Sequence, residues 1–203
     1  MGRAEVERSR FRIEAGLRPE HREQAVAGYW EAFSRKLRYP LGPRDKATAF
    51  IRQVMDPDYA VSAVSSDNRF LGAAGFKTPS GAFVGGSFAS MVKAYGILGG
   101  LVRAALAGAL ERSCDENTLL MDGIFVEARA RGLGIGTALL AAIERHAAAS
   151  GLSRVRLDVI DGNPRARALY ERQGFKAQST SSAGILRPVF GFGHATTMLK
   201  ELG

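Results

Sequence analysis

The chain has 203 residues, of which 46% are hydrophobic and 24% are charged, and this length and composition are typical of one globular domain. Its single cysteine, Cys114, excludes an internal disulfide and is compatible with a reducing compartment. The formal net charge of +8 attracts anions such as coenzyme phosphates, nucleic acid or acidic proteins. No block of like charges indicates a nucleic-acid-binding arm. Residues 1–9 lack the apolar core of a signal peptide, so we expect a cytoplasmic protein.

The first half of the chain alternates between strand-like and helix-like apolar patterns. Phe11, Ile13 and Ala15 alternate with polar residues, which indicates a half-buried strand. The predicted elements are a strand over 11–17, helices over 20–38 and 44–55 separated by a rigid break at 39–43, strands over 59–65 and 69–76, and a Gly-rich hairpin or loop over 78–86.

Residues 87–112 keep helical spacing and predict one or two helices. The apolar run within them, 97–110, is too short to span a membrane and contains Arg103, so we expect no membrane segment. Four glycines here each weaken helix propensity by up to about 1 kcal/mol relative to alanine, which favours mobility. The elements predicted next are a strand over 119–126, a helix over 135–150, a strand over 154–160, a short helix between Asn163 and Gly174, and strands over 176–181 and 196–202.

Alternating glycines lie at the predicted entrance of the 135–150 helix, at Gly132, Gly134 and Gly136. A helix start has N–H groups without intrahelical partners and a partly positive dipole end, and glycines allow several N–H groups to converge on one anion. We therefore expect a phosphate site here, to which Arg131 adds positive charge. A nucleoside-triphosphate loop is excluded, because no Gly-Lys-Ser/Thr ending follows the last glycine.

A dinucleotide-binding loop fits this segment in part. Asp158 closes the next apolar run about 20 residues later, where a ribose-binding acid is expected. However, Thr137 occupies the position of the third glycine, and residues 127–131 separate the loop from its strand. More than half of the chain also precedes the loop, whereas a dinucleotide-binding loop lies in the first βαβ unit.

A third pattern, Arg-x-x-Gly-x-Gly, is filled by Arg131, Gly134 and Gly136. It resembles the coenzyme A pyrophosphate loop of the GNAT superfamily of acetyl-CoA-dependent N-acyltransferases. Residues 163–175 are similar to the other signature of that superfamily, Asn-x-x-Ala-x-x-Leu-Tyr-x-x-x-Gly-Phe. Their local structure is predictable without the resemblance, since Asn163 suits a helix N-cap and a glycine suits a left-handed stop at the C-terminus.

The resemblance implies the GNAT fold, an α/β (α+β) architecture. A central mixed, mostly antiparallel sheet of about seven strands is expected, flanked by helices. We expect a single domain over 1–203, with residues 87–112 as an extra helical insertion between the third and fourth strands. The insertion is compatible with an acceptor-site lid, a dimerisation element or added core, so a homodimer stays open.

The resemblance also implies acetyl-CoA as co-substrate, without a metal. The pantetheine arm is expected along a strand backbone whose N–H groups polarise the thioester, at Ile124, Phe125 and Val126. Asn163 is expected to hydrogen-bond the same arm, and Ala166 and Tyr170 to complete the coenzyme site. The diphosphate is expected on the glycine loop, at Arg131, Gly132, Leu133, Gly134, Ile135, Gly136 and Thr137.

An acidic residue, Asp122, lies inside the apolar strand 119–126, where a carboxylate is costly unless it has a partner or a function. The segment 122–126 is similar to Glu-Gly-x-x-Val in the aminoglycoside N-acetyltransferases, with aspartate in place of glutamate. In extended geometry Asp122 shares a face with Ile124 and Val126. We expect Asp122 to take the proton that an amine acceptor must lose, directly or through a water. A structural role, satisfying a neighbouring backbone group or arginine, stays open.

The departing thiolate of coenzyme A has an ordinary pKa of about 8.5, so a hydroxyl near the sulfur assists by donating a proton. Tyr170 is expected in that role, with a half-buried structural tyrosine as the alternative. In the superfamily the two early helices and their connection wall the acceptor site. Tyr29 and Tyr39, with Asp122, are therefore the expected substrate contacts.

The sequence thus predicts transfer of an acetyl group from acetyl-CoA to a primary amine of an unidentified acceptor, by direct attack in a ternary complex. A small-molecule amine is the expected acceptor. An acetyltransferase acting on aminoacyl-tRNA or a protein N-terminus is a first alternative, supported only by the basic charge. A non-catalytic acyl-CoA-binding module is a second.

Overall fold

The computed structural model describes residues 11–109 and 115–203, which form one central sheet with helices on both faces. The strands are β1 Phe11–Ala15, β2 Ala60–Ser65, β3 Phe70–Thr78, β4 Gly81–Ala82, β5 Thr118–Val126, β6 Arg154–Ile160, β7 Lys176–Ser182 and β8 His194–Glu201. The helices are α1 Arg22–Leu41, α2 Arg44–Val54, α3 Phe88–Tyr95, α4 Ile97–Gly108, α5 Ile135–Ala149, α6 Pro164–Arg172 and α7 Arg187–Phe190. The predicted elements of the second half of the chain agree with these bounds to within two residues.

Neighbouring strands pair in the order β1-β2-β3-β5-β6-β8-β7, and the two-residue β4 pairs with β3 inside the predicted hairpin. Every pair is antiparallel except β5 with β6, which are parallel. This mixed, mostly antiparallel sheet flanked by helices confirms the predicted fold class.

Each face of the sheet is covered by its own hydrophobic core. On one face α5 buries Leu139 and Ile143 against the strands. On the other face α1 and α2 pack Val26 and Phe50 into a core that also contains Phe125 of β5. Burial of each such side chain contributes about 1.5–3 kcal/mol, so both helical layers are firmly attached to the sheet between them.

Helix α1 is longer than the sequence predicts. It continues through Pro40 to Leu41, whereas a break was expected over 39–43. The proline is tolerated because it lies in the last turn, where the N–H of Gly42 still donates to the carbonyl of Arg38 at 2.8 Å. The predicted break is therefore reduced to the two residues between α1 and α2.

The predicted insertion contains two helices, α3 and α4, which meet at Gly96 in the left-handed region (φ +77°). Helix α4 packs on α1, and α3 packs on α2. No helix in residues 11–109 and 115–203 combines the length and apolar character needed to cross a bilayer. Residues 110–112 of the insertion, Cys114 and the N-terminal segment 1–9 lie outside the described residues.

Candidate active site

The sheet divides where the parallel strands β5 and β6 separate. They pair over three residues each, 118–120 with 154–156. Beyond this point β5 continues to Val126 along β3, whereas β6 continues to Ile160 along β8. The facing edges of the two strands therefore diverge and leave an opening, which we call the cleft, with strand backbone on both sides.

A β-bulge interrupts β5 at the start of the cleft. Met121 pairs with Phe76 and Gly123 pairs with Gly75, so Asp122 is the extra residue between two consecutive partners on β3. A bulge bends its strand and re-aims the side chains next to it. Here it changes which face of the sheet the acidic residue occupies.

The Asp122 side chain and the Cβ position of Gly123 both lie on the α1 face of the sheet. Ile124 and Val126 instead pack against the core on the α5 face. The prediction that Asp122 shares a face with Ile124 and Val126 is therefore wrong, because one inserted residue reverses the strand's alternation.

Gly123 lies so close to α1 that a side chain does not fit. A Cβ atom built at this position would stand 2.3 Å from Cζ of Phe33. We expect Gly123→Ala to lower the free energy of unfolding by about 1–3 kcal/mol, because the ring and the bulge must move apart. Urea denaturation would measure the loss, with Gly85→Ala as control, since a Cβ there meets its nearest atom at an ordinary 3.5 Å. Equal stability of the two variants would contradict the expectation.

A cavity of about 460 Å³ lies on the α1 side of the sheet, between the two diverging strands and the helices above them. Its walls come from α1, from the insertion helices α3 and α4, and from β5 and β6, and its volume is in the range of small-molecule sites. The ionisable side chains in its wall are Tyr29, Lys36, Lys77, Asp122 and Asp158.

The Asp122 carboxylate has neighbours of several kinds. The hydroxyl of Tyr29 donates to its Oδ2 atom at 3.4 Å. Burial raises the pKa of Asp122, and it prevails over Lys36, the Tyr29 hydrogen bond, Lys77 and the backbone N–H of Val84, all of which lower it. A carboxylate with a raised pKa in a cavity is suited to act as a general base.

The Tyr29 hydroxyl is the hydrogen-bond donor to the Asp122 carboxylate. Its ring is buried against Phe33, with the two ring centroids 4.7 Å apart. Burial, and then the negative charge of Asp122, raise the pKa of Tyr29 well above its ordinary value. The hydroxyl therefore keeps its proton and holds the carboxylate in place.

The glycine loop enters α5 as the sequence predicts. Gly132 and Gly134 adopt left-handed backbone angles (φ +84° and +78°), and Gly134 is the N-cap of the helix. The first helical hydrogen bond runs from the N–H of Ala138 to the carbonyl of Gly134 at 3.0 Å. The amides of 135–137 precede it and have no intrahelical acceptor, so they are available as hydrogen-bond donors.

Helix α6 lies beside this loop. A Cβ atom at Gly136 would stand 3.2 Å from Cδ2 of Leu169, so α5 and α6 approach closely at that point. On the other side of the loop, Nε of Arg131 donates to the carbonyl of Val126 at 3.3 Å. The two sequence motifs are thus brought together at the end of β5.

The ends of α6 are formed as predicted. The Oδ1 atom of Asn163 accepts the N–H of Ala166 at 3.2 Å and caps the helix. Gly174 adopts a left-handed conformation (φ +86°) after its last turn. The capping bond leaves the amide nitrogen of the exposed Asn163 side chain as a donor toward a ligand.

Tyr170 is buried on the α5 face of the sheet, in the core against which Ile124 and Val126 pack. Its ring centroid lies 6.1 Å from that of Phe175. No residue in the described part of the chain hydrogen-bonds its hydroxyl. Burial raises the pKa of Tyr170 above its ordinary value, so the hydroxyl stays protonated at neutral pH. Tyr170 and Asp122 therefore lie on opposite faces of the sheet.

The sequence model of the Acetyltransferase (GNAT) family matches residues 22–175, which is more than half of the chain. This chain belongs to the GNAT acetyltransferase family. The match begins at α1 and ends after α6, so it includes most of the cavity wall, the cleft and both motifs. A comparison with curated proteins gives no match.

Solved structures show the same fold. A GCN5-related N-acetyltransferase from Kribbella flavida is 17% identical with a TM-score of 0.66, and the alignment covers 96% of this chain and 99% of that one. A structure described only as an acetyltransferase is 19% identical with a TM-score of 0.62, covering 95% and 100%. The ribosomal-protein-S18-alanine N-acetyltransferase from Escherichia coli is 14% identical with a TM-score of 0.56, covering 95% and 94%.

Of the two tyrosines predicted to contact the acceptor of this GNAT acetyltransferase, Tyr29 lies in the cavity wall and Tyr39 does not. Tyr39 is 46% exposed, and its hydroxyl accepts a hydrogen bond from Nη2 of Arg38 at 3.0 Å. Because α1 continues through this position, Tyr39 is placed on the outer surface of a helix instead of in a connecting loop.

Three ionisable residues in the cavity of this GNAT acetyltransferase were not predicted to be there. Lys36 and Lys77 lie on α1 and β3, and their sequence neighbours give no signal for a shared site. Asp158 was considered only as a ribose-binding acid, but it lies in the cavity wall and accepts a hydrogen bond from the hydroxyl of Thr197.

Proposed function

We propose that this GNAT acetyltransferase is an N-acetyltransferase, which moves an acetyl group from acetyl-CoA to a primary amine by direct attack in a ternary complex. The observation that carries the proposal is the Asp122 carboxylate at the bulge of β5, with its raised pKa, in the wall of a cavity beside the cleft. A base at this position can accept a proton from an amine in the cavity while a thioester lies in the cleft.

The coenzyme is assigned to the cleft and to the glycine loop. The pantetheine arm would lie along residues 124–126, where β5 has separated from β6 and offers backbone groups as an added strand would need. The diphosphate would be held by residues 131–137, whose amides lack helical acceptors at the start of α5. Asn163 and Ala166, at the start of α6, would contact the arm from the other side.

The proposed reaction uses one proton acceptor and one proton donor. An ammonium group entering the cavity loses its first proton to Asp122, which passes it to solvent. The amine nitrogen then bonds to the thioester carbonyl carbon, whose oxygen is stabilised by backbone N–H groups of 124–126. As the carbon–sulfur bond breaks, the electron pair leaves with sulfur. The nitrogen loses its second proton to Asp122, and the sulfur gains one from a donor that is then reprotonated from solvent, so that an amide and free coenzyme A thiol are formed.

Tyr170 is proposed to deliver the proton to sulfur. Its hydroxyl has no partner among the described residues, and burial keeps it protonated. Because Tyr170 lies on the face opposite Asp122, the base and the acid would act on different sides of the reacting carbon. A donor on the leaving-group side and a base on the nucleophile side are what aminolysis of a thioester needs.

The coenzyme assignment predicts an effect of Gly134→Ala. Nothing lies within 4 Å of a Cβ at this position. The only cost of the substitution is therefore that of holding alanine at a positive φ, about 1 kcal/mol of stability. We expect the loop to relax and the affinity for coenzyme A to fall by about tenfold, as one charge-assisted hydrogen bond is lost. Gly151→Ala is the matched control, because Gly151 has a similar φ (+75°) and equally open surroundings. Calorimetric titration should show reduced affinity in the first variant only, and equal affinity in both would contradict the assignment.

Release of free thiol from acetyl-CoA across a panel of aminoglycosides, polyamines, amino acids and short peptides tests the proposed function. We expect turnover with at least one class of amine. Binding of acetyl-CoA without turnover of any small amine would remove the small-molecule proposal. Aminoacyl-tRNA and ribosomal proteins would then be assayed, and turnover of neither would leave a binding module.

A further inference from the structure

The cavity contains charged side chains of both signs close to the proposed base. Lys36 and Lys77 line its wall, and both act electrostatically on Asp122. The lysines come from different elements, α1 and β3, so the fold has brought two ammonium groups toward one carboxylate. An amine bound at Asp122 would therefore lie close to two cations, which repel it unless the same ligand also carries a negative charge.

A second carboxylate in the wall, that of Asp158, interacts with side chains of β6 and β8. It accepts from the hydroxyl of Thr197 and lies 3.9 Å from Nη2 of Arg156. Among the described residues, Arg156 thus adds a third cation close to the wall, beside those of Lys36 and Lys77. The Nε atom of Arg156 is buried and makes no hydrogen bond within the described residues. A bound anionic group would be attracted to these cations.

Most of the remaining cavity wall is apolar. Its side chains come from α1, α2 and the two insertion helices, and they include Leu37, Leu41, Phe50, Phe88, Met91 and Ala104. The insertion helices therefore contribute apolar side chains to the cavity wall. At about 460 Å³ in total, the cavity suits a small ligand with one apolar branch.

We infer that the acceptor is an amino acid with an apolar side chain, bound with its amine against Asp122 and its carboxylate against Lys36 and Lys77. This inference rests on the proposed function and names the acceptor class of that site. The amine and carboxylate of an α-amino acid are separated by a single carbon, so one small ligand can meet both the carboxylate and the lysines that line the same cavity. The side chain would pack against the apolar residues that α3 and α4 contribute to the wall.

Amino acids and their amides provide the test, because they share a shape and differ in the negative charge. We expect leucine and phenylalanine to be acetylated with kcat/KM about 10- to 100-fold above leucinamide and phenylalaninamide. In Lys36→Met this ratio should fall toward one. In Lys46→Met, an exposed residue of α2 outside the cavity, it should be unchanged. The ratio is taken within each variant, so an altered basicity of Asp122 affects both members of a pair alike.

Two results separate the inference from the proposed function. If leucinamide is used as well as leucine, or if the ratio survives in Lys36→Met, the amino-acid inference is overturned and the N-acetyltransferase stands. If no amine releases thiol, the proposed function fails, and calorimetric binding of leucine and leucinamide to the coenzyme A complex decides the inference. Preferential binding of leucine that is lost in Lys36→Met would support it, and equal or absent binding would overturn it.

Discussion

Asp122→Asn is expected to lower kcat by about two to four orders of magnitude at neutral pH, because asparagine cannot accept a proton. The affinity for acetyl-CoA should be retained, since Asp122 faces the α1 cavity and not the side of β5 assigned to the pantetheine arm. Stability should not fall. Burial raises the pKa of Asp122, so the ionised carboxylate opposes folding at neutral pH, and a neutral amide removes that cost.

The raised pKa of Asp122 determines the direction in which activity changes with pH. A carboxylate with a raised pKa is protonated, and inactive as a base, at pH values below that pKa. For the wild type, kcat/KM should therefore rise with pH through a pKa higher than the ordinary aspartate value. That acidic limb should be absent in the asparagine variant, whose residual activity follows only the ionisation of the acceptor amine.

Asp45→Asn is a matched control, because Asp45 is exposed in the first turn of α2 and lies outside the cavity. It should leave the rate and the pH profile unchanged. If Asp122→Asn kept most of its activity with the same acidic limb, Asp122 would have only a structural role, as a hydrogen-bond partner of Tyr29.

Tyr170→Phe has the second large expected effect, a fall in kcat of about a hundredfold or more. The change removes one hydroxyl and leaves the ring packed against Phe175, so the fold and the affinity for acetyl-CoA should change little. The loss arises because the thiolate must then leave without a proton donor at the sulfur. It should be largest with acetyl-CoA and smaller with an acyl thioester whose thiol has a lower pKa.

Tyr59→Phe provides the comparison for this variant. Tyr59 is a partly buried tyrosine that packs against Phe76 and lies outside the cavity wall. Pre-steady-state measurement of thiol release should show a slowed chemical step for Tyr170→Phe and a normal one for Tyr59→Phe. Equal rates in the two variants, or a loss that does not depend on the leaving thiol, would identify Tyr170 as a packing residue.

The parts of the site that the sequence predicts are those decided by neighbouring residues. Asn163 caps α6 and Gly174 ends it, because each acts on backbone groups within a few positions. The glycines at 132 and 134 are required by the backbone angles of the loop itself. Local chemistry of this kind is independent of the tertiary structure, and it is also what the two family motifs encode.

The direction of Asp122 depends on a partner far away in the sequence. The bulge exists because β5 pairs with Gly75 and Phe76 of β3, and no residue within β5 signals it. The same limit applies to Lys36 and Lys77, which resemble ordinary surface lysines until the fold brings α1 and β3 to one cavity. The two lysines of the cavity wall therefore could not be predicted, whereas the backbone conformation of the glycine loop and the ends of α6 could.

The most direct test of the account is to locate the acetyl group after reaction. Purified protein would be incubated with acetyl-CoA labelled in its acetyl group and with the amine that is turned over. Mass spectrometry would then quantify the label on the amine, on the protein and in free acetate. Direct attack in a ternary complex predicts one labelled amide for each thiol released and no label on the protein. Label retained on the protein as an acyl-enzyme intermediate, or thiol release matched by free acetate, would contradict it.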